Sequence, residues 1–489
     1  MRRLLHLVVP CLTVLSGCYG TDKGVEVPQD EIYFPVGLAL DPRAAKPDFL
    51  YVVSSDFDLQ YNGGAVQSYD LRTLEGDLAQ PCPDGLCPAT KSRKVCAKGE
   101  QDDADRLLYP GPCKSLTPSD YQRGTVKIGA FATDAIIRQN DAESDLPRLF
   151  VPVRGDATLH FIDVDEDGGL DCGQFNNEGA CDKAHRAGEE PSDNVRGLKL
   201  AAEPFGVDAD PKGKTLVVTN QTTGTASLFV TGDWSAGPKL QFALSSDRIP
   251  QRPIGVVNVP RAEGDSATDA DGETYMVTFR DSAQVRLMHF APDFGSDPNR
   301  PFLSDGGGVG IDANSSGTDS RGIAIDDSLR KDAEKRCAGD DKCLAQAALV
   351  PLDVYVANRS PASLLIGRTH PPSQFPYFYD TVPLTVGPSK VTVGKIKTPS
   401  GEYETRVFVI CFDSRRIFIY DPLRLRIETE IFTARGPHAI AVDTERKLLY
   451  VGHFTDSYLG VYSLDLAFPE TYGTMLGALG TPKAPRSSK

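Results

Sequence analysis

The chain has 489 residues and 40% hydrophobic content, so it is long enough to bury a large core. Its 67 acidic residues outnumber its 52 basic residues, and the formal net charge of −15 argues against nucleic acid and anionic lipid headgroups as partners. Beyond the N-terminal segment no stretch is long and apolar enough for a transmembrane helix, which excludes a helical membrane bundle.

The N-terminal segment has the order of features found in an export signal. A basic start and an apolar run, Leu4–Leu15, lead into the sequence Leu-Ser-Gly-Cys, which ends at Cys18 and resembles a bacterial lipobox. The resemblance implies removal of residues 1–17, a lipid anchor including palmitate on Cys18, and a polar tether over residues 18–31. We therefore expect a lipoprotein of the outer membrane, facing the periplasm or exposed at the surface. The alternative is an ordinary secretory signal with an incidental cysteine.

One phrase recurs along the chain and defines its organisation. Its clearest copy, Gly436–Leu466, has an apolar run ending in Asp, a polar turn, a second apolar run, another turn and an alternating run. Short apolar runs bounded by Gly, Pro, Asp and Ser are typical of strands, whereas the spacing typical of helices is scarce here. The six other copies are Phe34–Leu71, Ile128–Asp165, Pro204–Val230, Arg252–Phe290, Arg321–Gly367 and Val386–Asp421.

A weaker fourth run stands between several copies, so each unit has four short strands. Four strands repeated radially are the pattern of a β-propeller blade, and a closed ring of such sheets hides their apolar faces. The sequence therefore predicts an all-β fold, a seven-bladed β-propeller over residues 32–480 with a disordered tail at 481–489. We expect Tyr472–Leu479, rather than Val25–Phe34, to close the ring. The predicted fourth runs are Leu198–Ala201, Leu240–Leu244, Val382–Val386 and Ile427–Phe432.

The repeat also resembles a known family. The pattern PxGVAVDP…LYVxN…VxVxD, which the copies above share, is similar to the repeat of YVTN-type seven-bladed propellers, a family that overlaps with lactonase-like propellers. The resemblance covers roughly residues 32–480 and implies the fold. It also suggests ester or lactone hydrolysis, but no catalytic motif matches residue by residue, so no catalytic residue is assigned.

Two insertions interrupt the repeat. Glu75–Gly124 is rich in Pro, Gly and Asp and is expected to form a long loop between the third strand of blade one and blade two. Asp326–Leu349 is rich in Ala, Lys, Glu and Leu. It predicts a helical insertion, broken at Gly339, between the first two strands of blade five.

Cysteine usage agrees with an oxidising compartment. Once Cys11 leaves with the signal and Cys18 carries lipid, eight of the nine remaining cysteines stand in loop insertions, where close pairs predict disulfide bonds. The expected bonds are Cys172–Cys181 and Cys337–Cys343, and three pairings stay open for Cys82, Cys87, Cys96 and Cys113. Zinc bound by the last four is less favoured because their spacings are not C-x₂-C. Cys411, in the middle of a strand, is expected to be a buried free thiol.

The turns between second and third strands gather on one face of the ring, around the mouth of the channel. Arginines recur there together with aspartates, and a ring of charge at this place predicts a face that binds a ligand or partner. The alternative is that these are ordinary hairpin turns whose Arg–Asp pairs crosslink neighbouring blades. The residues predicted for this face are Arg154, Asp156, Arg280, Asp281, Arg359, Asp413, Arg415, Asp456, His438 and His453.

His438 and His453 both belong to blade seven and are expected near each other at the mouth. His438 begins the innermost strand and His453 ends the second, so a metal site or an acid–base pair is conceivable there. Asn220 and Asn358 take the place of His453 in other copies, which favours a polar structural role for this position.

An acidic turn resembles a calcium-binding loop of the D-x-D-x-D-G type. Alternate aspartates around a turn that Gly permits supply the oxygen ligands that Ca²⁺ prefers, and the candidates are Asp163, Asp165, Asp167 and Asp171. Gln174 stands where such a loop usually carries a bidentate carboxylate. The alternative is a solvated acidic turn.

Enzyme motifs such as G-x-S-x-G, H-E-x-x-H and the phosphate-binding loops are absent from the sequence. The sequence thus favours a lipid-anchored propeller that acts as a binding or assembly module for a protein or another cell-envelope partner, without nucleic acid and without a required cofactor. The alternative is a lactonase-like hydrolase or lyase that acts at the channel mouth with a divalent ion.

Overall fold

A computed structural model of the chain describes residues 24–78, 115–140, 146–173, 180–231, 234–263, 272–292, 300–311, 318–469 and 471–482. Within these ranges the strands form seven antiparallel sheets, and the sheets follow one another along the chain. The seven-bladed β-propeller is therefore confirmed. Each sheet is a blade, numbered here in chain order, and its first strand lies against the first strands of the neighbouring blades.

Every blade has four strands in sequence order. The first, innermost strands are Pro35–Leu40, Ile136–Arg138, Pro204–Ala209, Pro253–Asn258, Thr318–Asp326, Pro388–Lys397 and Pro437–Asp443. The second strands are Phe49–Ser54, Arg148–Val153, Thr215–Asn220, Thr274–Phe279, Asp353–Ser360, Tyr403–Cys411 and Leu448–His453. The third strands are Gly64–Asp70, Thr158–Val164, Thr225–Val230, Gln284–Ala291, Ala362–His370, Arg416–Asp421 and Tyr458–Ser463. The outer strands are Gln122–Ile128, Arg186–Ala187, Lys239–Leu244, Phe302–Gly310, Phe375–Pro383, Arg426–Phe432 and Met475–Leu479.

The second strands carry the core of the ring. Phe49–Ser54, Arg148–Val153 and Leu448–His453 are buried along their whole length, because each blade is covered on both faces by its neighbours. The apolar clusters accordingly lie between blades: Leu50 of blade 1, for example, packs in one cluster with Tyr450 of blade 7. Among the described residues, each of the seven largest apolar clusters joins two neighbouring blades, so closing the ring is a condition of stability.

The C-terminal strand closes the ring, as the sequence predicts. Met475–Leu479 is the fourth strand of blade 7, and Ser115–Leu116, from the insertion in blade 1, pairs with it in parallel. This second contact clamps blade 7 to blade 1. The N-terminal segment packs on blade 1 as well, because the Gln67 side chain donates hydrogen bonds to the carbonyls of Gln29 and Glu31 at 3.0 and 2.9 Å.

Two details of the expected strand order are wrong. Leu198–Ala201 is not a strand; the outer strand of blade 2 is the short Arg186–Ala187, and Leu170–Asp171 pairs with its third strand. The insertion follows the third strand of blade 1, as the sequence predicts, but it leads into that blade's own outer strand, Gln122–Ile128, which the sequence pattern did not reveal. It begins with a helix, Leu71–Leu78, which the sequence pattern did not reveal.

The helical insertion of blade 5 is confirmed. It consists of two helices, Ser328–Cys337 and Asp341–Ala347, separated at Gly339 by left-handed backbone with a φ of +84°. Short 3₁₀ turns lie at Pro118–Asp120, Lys183–His185 and Pro191–Asp193. Of the helices in the described ranges, none has the length and apolar character needed to cross a membrane.

The two assigned disulfides are confirmed. Cys172 is bonded to Cys181, and Cys337 to Cys343. Cys411 is a buried free thiol, and burial raises the pKa of that thiol to about 11. The cysteines at 82, 87, 96 and 113 lie outside the described residues, as does Cys18, the predicted lipid acceptor.

Candidate functional site

The channel mouth is built from a turn that recurs in all seven blades. A residue with positive φ stands at or next to the start of the inner strand in six blades, and five residues before it in blade 2. Glycine adopts this conformation freely, and other residues adopt it at a cost of order 1 kcal/mol. These residues are Phe34, Phe131, Glu203, Arg252, Asp319, Gly387 and Gly436, with φ between +42° and +90°. The turn fixes how each inner strand enters the channel, so residues at equal distances after it form layers.

The first layer lies two residues after the turn and lines a cavity. The cavity has a volume of about 320 Å³, at the lower end of the range for small-molecule sites. All seven blades contribute one residue of this layer to its wall: Val36, Thr133, Phe205, Ile254, Arg321, Ser389 and His438. The site is thus shared by the whole ring.

The next layer forms the floor of the cavity. Five blades carry a small residue there, and these residues are Gly37, Gly206, Gly255, Gly322 and Ala439. The two exceptions are Asp134 of blade 2 and Lys390 of blade 6, whose side chains meet across the channel with a Nζ–Oδ1 distance of 2.6 Å. Small neighbours leave the space in which this ion pair spans the channel.

The rim of the mouth is formed by the residue that follows the second strand in six blades and by Arg359, near the end of the second strand, in blade 5. In those six blades the backbone N–H of the rim residue donates to the carbonyl of that blade's positive-φ residue, at 2.7 to 3.1 Å. The rim residues are Ser55, Arg154, Gln221, Arg280, Arg359, Phe412 and Phe454. Blades 2 to 5 therefore present polar, mostly cationic side chains, and blades 6 and 7 present aromatic ones.

The aromatic side of the mouth is continuous. We call Phe57, Phe131, Phe412 and Phe454 the aromatic arc. Phe57 lies with its ring centroid 5.9 Å from Phe131 and 5.2 Å from Phe454, and Phe454 lies 6.2 Å from Phe412. Phe57 is 51% exposed, so the arc opens to solvent at the rim.

The cationic side consists of Arg154, Arg280, Arg321 and Arg359, the arginine arc. Three of these arginines pair with a carboxylate of the next blade. Arg154 lies 2.6 Å from Glu203, Arg280 lies 3.2 Å from Asp319, and Arg359 contacts Asp413. Arg–acid pairs do therefore crosslink the blades, while Arg154 and Arg359 also line the cavity.

Arg321 is the charged member of the first layer. Its Nη2 donates to Asp319 Oδ2 at 2.9 Å, and Asp319 also pairs with Arg280. Burial lowers the pKa of the Arg321 guanidinium; Asp319 opposes this shift, and the nearby Arg280 and Arg359 add to it. The guanidinium stays charged, so it is a desolvated cation that shares its counterion.

His438 lines the cavity between the aromatic arc and the floor. Its Nδ1–H donates to the carbonyl of Val36 at 3.2 Å, and its ring lies 5.7 Å from Phe454. Burial and the charge of Lys390 lower the pKa of this imidazole to about 4. The imidazole is therefore neutral near pH 7.

His453 does not join His438 at the mouth. It is fully buried inside blade 7, with its ring stacked on Tyr458 at 4.4 Å and its Nε2 3.2 Å from the Tyr462 hydroxyl. Burial lowers the pKa of His453 to about 3. The polar structural role is the one that the geometry supports.

The remaining residues predicted for the mouth are engaged in local pairs. Asp156 accepts from Thr158 at 2.6 Å and lies 3.1 Å from His160. Asp281 pairs with Arg252 and Asp456 with Arg435. Arg415 lies in a hairpin turn with a φ of +58°, three residues beyond Phe412, which holds the rim position of blade 6.

The four acidic residues of the candidate calcium loop do not converge. Asp163 forms a bidentate pair with Arg148, at 2.6 and 3.0 Å, so it is held by a guanidinium. Asp165 Oδ1 accepts backbone N–H groups of its own turn, and Asp171 does the same. Within the described ranges, no group of three or more His, Cys, Asp or Glu side chains is placed to hold a metal ion.

Asp134, Arg321 and Lys390 were not singled out from the sequence, and neither was the aromatic arc. Asp134, Arg321 and Lys390 lie at or just before the start of inner strands, whereas the arginines that recur in the sequence lie in the turns between second and third strands. Aligning the copies on their first strands gives the missing signal, because Asp and Lys replace Gly or Ala in two copies.

Comparisons with known proteins find structural similarity at low sequence identity. No protein-family model and no curated protein matches the chain. Solved structures similar to it include a periplasmic gluconolactonase from Pseudomonas aeruginosa, with 14% identity, 82% of this chain and 86% of that chain covered, and a TM-score of 0.46. Hydrazine synthase from Kuenenia stuttgartiensis has 10% identity, 91% and 98% coverage, and a TM-score of 0.48. These similarities are too low to carry an argument about activity.

Proposed function

We propose that this protein is a binding module that holds a small ligand in the mouth of its central channel and performs no chemistry of its own. The observation that carries the proposal is the cavity of about 320 Å³, lined by all seven blades and floored by the Asp134–Lys390 pair. A concave site with apolar walls and a few placed polar groups is typical of small-molecule binding.

The polar groups of the mouth are engaged in ways that support binding rather than turnover. The Ser55 hydroxyl donates to the carbonyl of Ala132 at 2.9 Å, and Thr133 donates to the carbonyl of Phe205 at 2.7 Å. His438 uses Nδ1 for the Val36 carbonyl. A nucleophile activated by a base needs a hydrogen bond between the two, and these hydroxyls point their protons at backbone oxygens instead.

The binding proposal is tested by asking what the protein carries. We expect protein purified from its native host to release a small molecule on denaturation, detected by mass spectrometry. Ser389→Trp fills the cavity with a large side chain, so the molecule is lost from this variant. Ser400→Trp, the same substitution in an exposed turn between the first two strands of blade 6, is the matched control and retains it. Equal yields from both variants, or no molecule from the unaltered protein, contradict the proposal.

A lactonase-like hydrolase at the same mouth is the second candidate. The observation that favours it is His438, an imidazole in the cavity wall that is neutral near pH 7 and able to accept a proton. An ester and lactone panel tests it. Turnover that His438→Gln abolishes, without a change in melting temperature, would replace the binding proposal with this one.

We further propose that the propeller is exported and anchored by lipid on Cys18, so that its ligand is one met in the cell envelope. The lipobox-like sequence before Cys18 supports this, as does the presence of two disulfides in the fold. Cys18→Ala is expected to move the protein from the membrane fraction to the soluble fraction. An unchanged membrane fraction would refute the anchor while leaving the cavity proposal intact.

A further inference from the structure

We propose that the ligand is an amphipathic organic anion, with its charged group held by Arg321 and Arg359 and its apolar body against the aromatic arc. This inference rests on the proposed function, because it names the ligand class for the same cavity. It follows from the division of the mouth into a cationic and an aromatic side, which a purely structural ring of hairpins does not require.

The first support is the charge balance at the mouth. Among the described residues, the ion pairs made by the arginine arc and Lys390 join five cations to four carboxylates. The cations are Arg154, Arg280, Arg321, Arg359 and Lys390, and the carboxylates are Glu203, Asp319, Asp413 and Asp134. Asp319 serves two arginines, so the shortfall lies at Arg280 and Arg321. The neighbouring Arg252–Asp281 pair is neutral and does not alter this balance.

The surplus positive charge lies in the wall of the cavity, where a ligand would contact it. The whole chain has a formal net charge of −15, so an excess of positive charge among the ion pairs of this cavity runs against the general trend of the protein. Arg321 is 15% exposed and Arg359 is 32% exposed, and both line the cavity. A partly desolvated guanidinium gains more from an incoming anion than an exposed one, because solvent screens the interaction less.

The second support is the apolar lining of the same cavity. Val36, Phe205 and Ile254 lie in the first layer, and Phe57 leaves about half of its side chain in solvent at the rim. Exposed aromatic side chains grouped around a cavity are typical of sites that contact a ligand. A fully polar anion would leave these rings exposed to water, and an apolar molecule would leave the second positive charge at Asp319 without a counterion. A ligand with one charged end and an apolar body satisfies both.

Carboxylate and phosphate share the chemistry that these guanidiniums recognise, because both accept paired hydrogen bonds from an arginine. The test therefore compares three probes with one phenyl body: 3-phenylpropanoate, 2-phenylethyl phosphate and the uncharged 3-phenylpropanamide. Isothermal titration calorimetry on the full folded chain measures each affinity. We expect one of the two anions to bind at least about tenfold more tightly than the amide, since a hydrogen bond to a charged group adds that much.

The variants locate the charge that matters. Arg321→Gln and Arg359→Gln are each expected to weaken binding of the preferred anion by about tenfold or more and to leave the amide unchanged. Arg424→Gln, on the face away from the mouth, is the matched control and retains full affinity. If Arg321→Gln fails to fold, as its melting temperature would show, Arg359→Gln at the more exposed rim position carries the test.

Each result decides the inference. Equal affinities for the anion and the amide, or unchanged anion binding in both arginine variants, overturn the anionic class. If Ser389→Trp still blocks the amide in that case, the mouth is a binding site for a neutral ligand and the proposed function survives. If none of the probes binds, the inference is overturned as well, and the molecule released from purified protein then decides the proposed function separately.

Discussion

Two arginines on opposite faces of the ring show how differently one propeller surrounds the same side chain. Arg406, on the face away from the mouth, is 1% exposed and lies 2.7 Å from Glu404, 2.9 Å from Glu428 and 3.4 Å from Asp421. Burial by itself would lower the pKa of this guanidinium, but hydrogen bonds to Glu428 and Glu404 raise it above its ordinary value. Three carboxylates therefore lie within 3.4 Å of the single positive charge of Arg406.

Arg321, in the mouth, has the opposite balance. It shares Asp319 with Arg280, and burial together with its cationic neighbours lowers the pKa of its guanidinium. Ion pairs alone therefore do not mark a functional surface. The pairs around Arg406 are complete and hold a blade together, whereas the cluster around Arg321 lacks a counterion and opens into a cavity.

The largest effect is expected from Arg406→Met. It leaves three acidic side chains without their central cation, and removing one partner of a buried network typically costs about 3–5 kcal/mol. Chemical denaturation measures the loss in the free energy of unfolding. Arg424→Met is the control, because the Arg424 side chain is half exposed and solvent screens its pair with the buried Asp421, so a much smaller loss is expected. Equal losses in the two variants would contradict the description of Arg406.

The pH dependence of stability tests His453, a side chain that gains a positive charge in the unfolded chain but is buried in its neutral form. The pKa of His453 falls from 6.5 to about 3 through burial alone, so the unfolded chain binds this proton more readily between those values. The contribution of His453 to the free energy of unfolding is therefore fully present above pH 6.5. It is lost as the pH falls toward 3, by about 1.4 kcal/mol per pH unit. His453→Gln is expected to flatten the stability profile between pH 6 and pH 4 by about that slope. A profile as steep as that of the unaltered protein would be inconsistent with a buried neutral His453.

A double-mutant cycle tests the floor of the cavity. Lys390 and Asp134 are 30% and 20% exposed, so their pairing lies between the buried network of Arg406 and a surface pair. We expect Lys390→Met and Asp134→Asn to show a coupling energy of about 1 kcal/mol, reduced at high salt. Additive effects at low salt would mean that the pair does not form across the channel.

The smallest effect on stability is expected from a substitution of Arg321 in the channel mouth. Arg321→Gln removes a cation whose counterion also pairs with Arg280, so the free energy of unfolding changes by less than about 1 kcal/mol. Thermal and chemical denaturation check this value. A loss as large as that of Arg406→Met would show that Arg321 is a structural residue and would remove the contrast between the two faces.

The fold was predictable because the repeat is local. Each apolar run has its own turn residues, and seven copies can be read one after another, from Phe34–Leu71 to Gly436–Leu466. The two disulfides were predictable for the same reason, since each closes a short loop. The outer strand of blade 2 was not, because only two residues, Arg186 and Ala187, pair there and an unpaired apolar run stands nearby.

The candidate site was only partly predictable. Arg154, Arg280 and Arg359 do hold equivalent rim positions, as their recurrence suggested. Arg415 does not, because it lies in the hairpin turn three residues beyond Phe412, which holds the rim position of blade 6. The contact of Asp134 with Lys390 joins residues 256 positions apart, and it depends on the closed ring and on small residues in the other blades. No local pattern contains that information.

The most direct test of the central claim is a crystal structure of the protein soaked with 3-(4-bromophenyl)propanoate, using the anomalous signal of bromine to locate the ligand. We expect a bromine peak beside the aromatic arc, with the carboxylate within hydrogen-bond distance of Arg321 or Arg359. A channel mouth without a bromine peak, or a carboxylate turned away from both arginines, would contradict it.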